Sequence, residues 1–230
     1  MGNDIGTKPV PVELDAGYYH KLTGVSYNRL LDRCEKMGKD YEKFDEVMKS
    51  YMEITPLMSR SMFRDIIVSY IGFALPSPQA IEVLFKAYQR HLERFPKAKF
   101  VDLGAGSGVF CWLLHRAGIL KDRLLAIDLP SGKTTHQFQK NYWEITEDSN
   151  YHADPDDVLF IGWGCGGGNV IDQYEKDGGK CLIILGELED GATYPADAFV
   201  NRGDWKIEWH EVMGSANMLS PDYLTINTRY

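Results

Sequence analysis

Asp102, Gly104, Gly106, Gly108 and Asp128 are the residues whose types and spacing point most directly to chemistry. The apolar pair Phe100-Val101 runs into Asp102, and Leu103 leads into the three alternating glycines. A helical pattern begins at once from Val109. Glycine at every second position lets the backbone turn sharply and approach a ligand with no Cβ in the way. A strand, a tight glycine turn and a helix N-terminus in this order hold nucleotide-type ligands. The second acid, Asp128, ends the apolar run Leu124–Ile127 and follows Gly108 by 20 positions. A carboxylate at that place accepts hydrogen bonds from ribose hydroxyls. The dinucleotide pattern G-x-G-x-x-G needs a further glycine where this chain has Val109. That residue, with Asp102 inside the first strand, weighs against a nicotinamide-dependent oxidoreductase.

Asp102-Leu103-Gly104-Ala105-Gly106-Ser107-Gly108 resembles motif I of the class I S-adenosylmethionine-dependent methyltransferases, E/D-x-G-x-G-x-G, and fits it at every fixed position. The resemblance implies S-adenosyl-L-methionine as cofactor. It places the cofactor's amino-acid tail and sugar against Gly104, Ala105, Gly106 and Gly108. Asp102 would meet the ammonium, directly or through water, Asp128 the ribose, and Leu129 the adenine. Phe73-Ala74-Leu75-Pro76-Ser77-Pro78 looks like the segment ahead of motif I in some methyltransferase subgroups. It adds Tyr70 and Ser77 as cofactor contacts; by themselves these residues read as a packing tyrosine and a helix cap.

Val158–Gly162 and the residues after it stand at the position of motif IV, so Trp163, Gly164 and Cys165 are expected to line the substrate pocket. Amino-directed nucleic-acid methyltransferases carry N/D/S-P-P-Y/F/W there, and this chain has Trp163-Gly164-Cys165-Gly166 with no proline. Adenine-N6 and cytosine-N4 methylation are therefore disfavoured. No metal site is expected. Methyl transfer is an in-line displacement, for which the protein chiefly holds nucleophile and methyl group together. A base is needed only for a protonated nucleophile. Glu187 and His210 are the candidates; Glu187 reads equally well as part of a solvated acidic loop, and His210 as a structural residue. A small-molecule acceptor is expected over nucleic acid. A catalytically silent methyltransferase-like module and an RNA cap or base methyltransferase remain as alternatives.

The elements that must position these residues follow from periodicity. Tyr27, Leu30, Leu31, Cys34 and Met37 recur at helical spacing, with Gly38 placed to stop the helix. A second helix carries Phe44, Val47, Met48, Tyr51 and Met52, and a third, after Pro56, runs from Met58 to Tyr70. Ser77-Pro78 is a helix start, Ser as N-cap and Pro at the first helical position. Beyond Pro96 strands are expected at Phe100–Leu103, Leu124–Ile127, Val158–Trp163, Leu182–Leu185, Trp205–Val212 and Tyr223–Asn227. A weaker one lies around Tyr142–Thr146. Helices are expected near Val109–Ala117, Asn169–Lys176 and Ala196–Asn201. This alternation predicts an α/β fold with a mostly parallel sheet. The last two strands are too close for a crossover helix and must be antiparallel. The expectation is a Rossmann-like seven-stranded sheet with an antiparallel last hairpin strand. An N-terminal arm and helical cap over residues 1–76 precede a cofactor domain over 77–230.

Composition bounds the rest. The chain has 230 residues, 44% of them hydrophobic, enough for a substantial core. Its net charge of −8 gives no general attraction to nucleic acid or anionic membranes. Four cysteines without a C-x-x-C pair read as reduced thiols. The N-terminus lacks a basic and apolar leader pattern, and no apolar run approaches a membrane span. A cytoplasmic protein with no membrane partner is the expectation.

Overall fold

A computed structural model describes residues 27–52, 57–130, 138–163, 168–187, 204–212 and 222–230. Four helices come first: α1 (Tyr27–Met37), α2 (Tyr41–Met52), α3 (Leu57–Tyr70) and α4 (Pro78–Leu92). Then follow β1 (Phe100–Leu103), α5 (Val109–Arg116), β2 (Leu124–Asp128), β3 (Ile145–Glu147), β4 (Val158–Gly162), α6 (Gly168–Lys176), β5 (Cys181–Gly186), β6 (Lys206–Val212) and β7 (Asp222–Thr228). The strands form one seven-stranded sheet in the order β3-β2-β1-β4-β5-β7-β6. β7 is antiparallel to both of its neighbours, and every other pairing is parallel. The expected sheet, with its antiparallel strand, is the observed one.

The order follows from burial. β5, Cys-Leu-Ile-Ile-Leu-Gly, is buried at every residue, as a parallel strand covered on both faces must be. β6 is exposed along most of its length and takes the sheet edge. Alternation divides the side chains cleanly. Phe100, Phe160, Ile183 and Leu224 join a core with α1 to α5. Val101, Leu159, Leu182 and Ile184 join Ile171 and Tyr174 of α6 on the other face. Tyr174 also ties strand ends together: its hydroxyl donates to the Asp157 carbonyl at 2.6 Å and accepts from the Cys181 N–H at 3.0 Å.

The helical cap shares the first of these cores. Leu30, Cys34 and Met37 of α1 are fully buried. Phe44 meets Trp112 of α5 edge-on at 5.4 Å and Tyr142 at 6.0 Å. Gly38 ends α1 at φ +60°, a conformation glycine adopts without a Cβ penalty. The weakly marked strand around Tyr142–Thr146 is shorter and later, Ile145–Glu147. Tyr142 itself is buried against α2 and α5, so packing there outweighs its β propensity. The helix expected near Ala196–Asn201 and the N-terminal arm lie outside the described residues. No helix among the described residues is long and apolar enough to cross a membrane.

Candidate cofactor site

β1 and β2 lie side by side in register, Asp102 opposite Ala126 and Leu103 opposite Ile127. The chain leaving β1 is pinned to β2, because the N–H groups of Gly104 and Ala105 both donate to the Ile127 carbonyl, at 2.8 and 3.0 Å. Gly104, Gly106 and Gly108 have φ of +74°, +56° and +70°. All three lie in the left-handed region that other residues pay about 1–2 kcal/mol to enter. Gly108 then caps α5 with no side-chain hydrogen bond to that helix end.

The three glycines differ in what surrounds them. A Cβ on Gly108 would stand 2.7 Å from the Trp143 Cβ, and one on Gly106 would stand 2.9 Å from the Phe138 ring. At Gly104 a Cβ would meet nothing within 4 Å. Gly106 and Gly108 are thus tight packing points, and Gly104 faces open space.

Asp128 is built into the loop. One carboxylate oxygen accepts from the Gly106 N–H at 2.6 Å, and the other accepts from the Leu129 N–H at 2.7 Å. Each oxygen keeps a lone pair for a further donor. From the opposite side, the Ser107 hydroxyl donates to the Ile71 carbonyl, and the Gln139 N–H donates to the Ser69 carbonyl at 2.8 Å. The end of α3 is thereby docked against the glycine loop.

A cavity of about 70 Å³ lies between the Ile71–Ala74 stretch and the loop, with Asp102 in its wall. Small-molecule sites run from about 300 Å³ upward, so this cavity has room for only one end of a ligand. Asp102 is 2% exposed, and its Oδ2 is buried with no hydrogen-bond partner. Burial, with a further push from the charge of Asp128, raises its pKa to about 8. A cation placed beside it reverses that shift, since an opposite charge favours the carboxylate. Asp102 therefore has an unused acceptor oxygen beside the open space at Gly104.

The cavity's outer wall is aromatic. Trp163 follows β4 with φ +53°, the one non-glycine in the left-handed region among the described residues. Its N–H donates to the Leu185 carbonyl at 2.8 Å, which anchors it to β5. The Trp163 and Phe73 rings lie parallel, 6.5 Å apart between centroids and 4° between planes. The Arg64 guanidinium sits over Phe73 at 5.4 Å, a cation–π distance. A bulky residue held at positive φ is strain of the kind that collects at ligand sites.

The expected site residues divide accordingly. Asp102, Gly104, Ala105, Gly106 and Trp163 come together around the cavity. Gly108 shapes the turn, and Asp128 holds it from outside the cavity. Leu129 is 46% exposed beside Asp128. Ser77 spends its oxygen on the Ala80 N–H at 3.2 Å as the N-cap of α4. Tyr70 is half-buried and packs against the main core rather than the cavity. The segment between them, Ile71 to Ala74, lines the cavity in their place. Glu187 is half-buried beyond β5 and His210 bonds Glu208 at 2.8 Å on the edge strand; neither lines this cavity. Gly164 and Cys165 lie outside the described residues. Phe138 and Ser107 are additions that no spacing rule singles out. No cluster of His, Cys, Asp or Glu able to hold a metal occurs among the described residues.

A sheet ordered 3-2-1-4-5-7-6, with only its seventh strand antiparallel, carries the glycine turn after its first strand. The fold is that of the class I methyltransferases. No protein-family model matches the chain, and no curated protein matches it. Among solved structures it is similar to the methyltransferase domain of bacterial CtHen1-C, at 12% identity over 66% of this chain and 97% of that one, TM-score 0.39. It is also similar to an O-methyltransferase family protein from Burkholderia thailandensis, at 16% identity over 74% of this chain and 59% of that one, TM-score 0.40. A third is magnesium protoporphyrin IX methyltransferase (ChlM) from Synechocystis PCC 6803 with bound SAM, at 10% identity over 74% of this chain and 97% of that one, TM-score 0.38. Likeness at this level carries no argument about cofactor or acceptor, which rest on the residues themselves.

Proposed function

We propose that this chain is an S-adenosylmethionine-dependent methyltransferase acting on a small-molecule acceptor in the cytoplasm. The carrying observation is Asp102: a buried carboxylate oxygen without a partner, in the wall of a cavity that opens beside Gly104. The bound cofactor would supply a methyl group already activated on a sulfonium. Asp102 would hold its ammonium, and Asp128 would accept from its ribose hydroxyls while keeping the Gly106 N–H. Phe73 and Trp163 would exclude water from the reacting end and set the angle of approach. Holding the two reactants in line supplies most of the acceleration such a transfer needs.

The acid balance supports a metabolite acceptor, because a chain of net charge −8 offers no general attraction to a phosphate backbone. The test is transfer of a labelled methyl group from the cofactor into separate panels of metabolites and RNAs. Label should enter a metabolite fraction. Asp128→Ala should weaken cofactor affinity roughly tenfold or more, through loss of charged hydrogen bonds. Label confined to RNA would overturn the acceptor class, and unchanged affinity would overturn the role of Asp128.

A further inference from the structure

The larger cavity lies at the other end of the strands. It measures about 360 Å³ and lies between α4 and the starts of β5 and β6 with the end of β7. The glycine loop sits beyond the far end of these strands, so the two cavities share no lining residue. Its volume falls in the range of small-molecule sites, roughly 300–1,000 Å³.

The walls have two characters. Ala87, Cys181 and Ile226 are buried and give an apolar floor. The rim carries Arg90, Arg94 and Lys206 against Glu93 and Glu208. Arg90 is neutralised by Glu208 at 2.9 Å. Arg94 lies over the Tyr230 ring at 4.4 Å, which fixes its guanidinium without using its N–H donors on a carboxylate. Lys206 has no ion pair among the described residues and stands across the groove, at the start of β6. The His91 ring nitrogen is 3.3 Å from the Tyr230 hydroxyl, so the tyrosine under Arg94 is itself held. Arg94 and Lys206 are thus the two cations at the groove with no carboxylate bonded to them among the described residues.

We propose that this groove is a second ligand site, for a small monocarboxylate with an apolar body. The body would cover Ala87, Cys181 and Ile226, and the carboxylate would reach Arg94 and Lys206. Arg94 is the better placed of the two, because a guanidinium held flat on a ring keeps its fork of donors ready for a carboxylate. The proposal does not depend on the cofactor reading.

Calorimetry of the full chain with benzoate tests it, with benzamide as the neutral match in shape. Benzoate should bind saturably and benzamide should not. Arg94→Gln combined with Lys206→Gln should weaken benzoate about tenfold or more, the scale of a charged hydrogen bond. Both substitutions are on exposed residues, and circular dichroism confirms that the variant is folded. Asp102→Asn should leave benzoate affinity unchanged, which separates this groove from the glycine-loop cavity. Equal binding of benzamide, unchanged affinity in the double variant, loss of binding in Asp102→Asn, or no saturation by about 10 mM would each overturn it.

Discussion

Alanine at Gly108 should cost the fold, and alanine at Gly104 should cost the ligand. Both residues have φ near +70°, so both substitutions carry the left-handed penalty of about 1–2 kcal/mol. At Gly108 the new Cβ also meets Trp143 Cβ at 2.7 Å and Ile145 Cδ1 at 2.9 Å. Ile145 Cδ1 can swing aside, but Trp143 Cβ adjoins backbone, with the Trp143 N at 3.3 Å, and cannot. Overpacking adds roughly 1–3 kcal/mol. Gly104→Ala adds no clash, and its methyl points into open space beside the Asp102 cavity. Denaturant unfolding should therefore show Gly108→Ala well below Gly104→Ala in stability. Cofactor binding should fail in Gly104→Ala even though it folds. Equal stability of the two variants would contradict the packing account, and full binding by Gly104→Ala would place the ligand elsewhere.

Asp102→Asn should make the ligand-free protein less sensitive to alkali. In the folded state the Asp102 pKa is raised to about 8 from an ordinary 3.8, so the folded chain holds a proton that the unfolded chain has lost. Stability then falls as pH rises between those values, because the unfolded state binds fewer protons. Asparagine removes this dependence. Relative to the variant, the parent chain should lose a few kcal/mol between about pH 5 and pH 8 and little more above that. Parallel stability profiles across that range would show that Asp102 is not held neutral in the fold. Loss of the carboxylate should at the same time weaken binding of any ammonium-bearing ligand.

Much of this architecture was legible in the chain. The unbroken apolar run Leu182–Leu185 marks a central strand buried on both faces, and the short link between β6 and β7 forces their antiparallel pairing. The glycine turn was legible because each of its glycines has a positive φ that a side chain would resist. The far wall of the cavity was not. Ile71 to Ala74 reach the loop through the Ser107 hydroxyl and the Ile71 carbonyl, a bond across 36 positions that no local pattern encodes. Ser77 is ambiguous for a related reason. A serine before proline looks the same in sequence whether its oxygen serves a ligand or a helix end, and here it serves Ala80. Phe138 covers Gly106 from a stretch with no periodicity to place it.

The proposal stands or falls on whether this loop binds S-adenosylmethionine. Calorimetric titration of the full chain with S-adenosylmethionine, S-adenosylhomocysteine and NAD tests it directly. The expected result is saturable binding of the first two at one site per chain, lost in Gly104→Ala, with no binding of NAD. Binding of NAD alone, or of none of the three, would contradict the account.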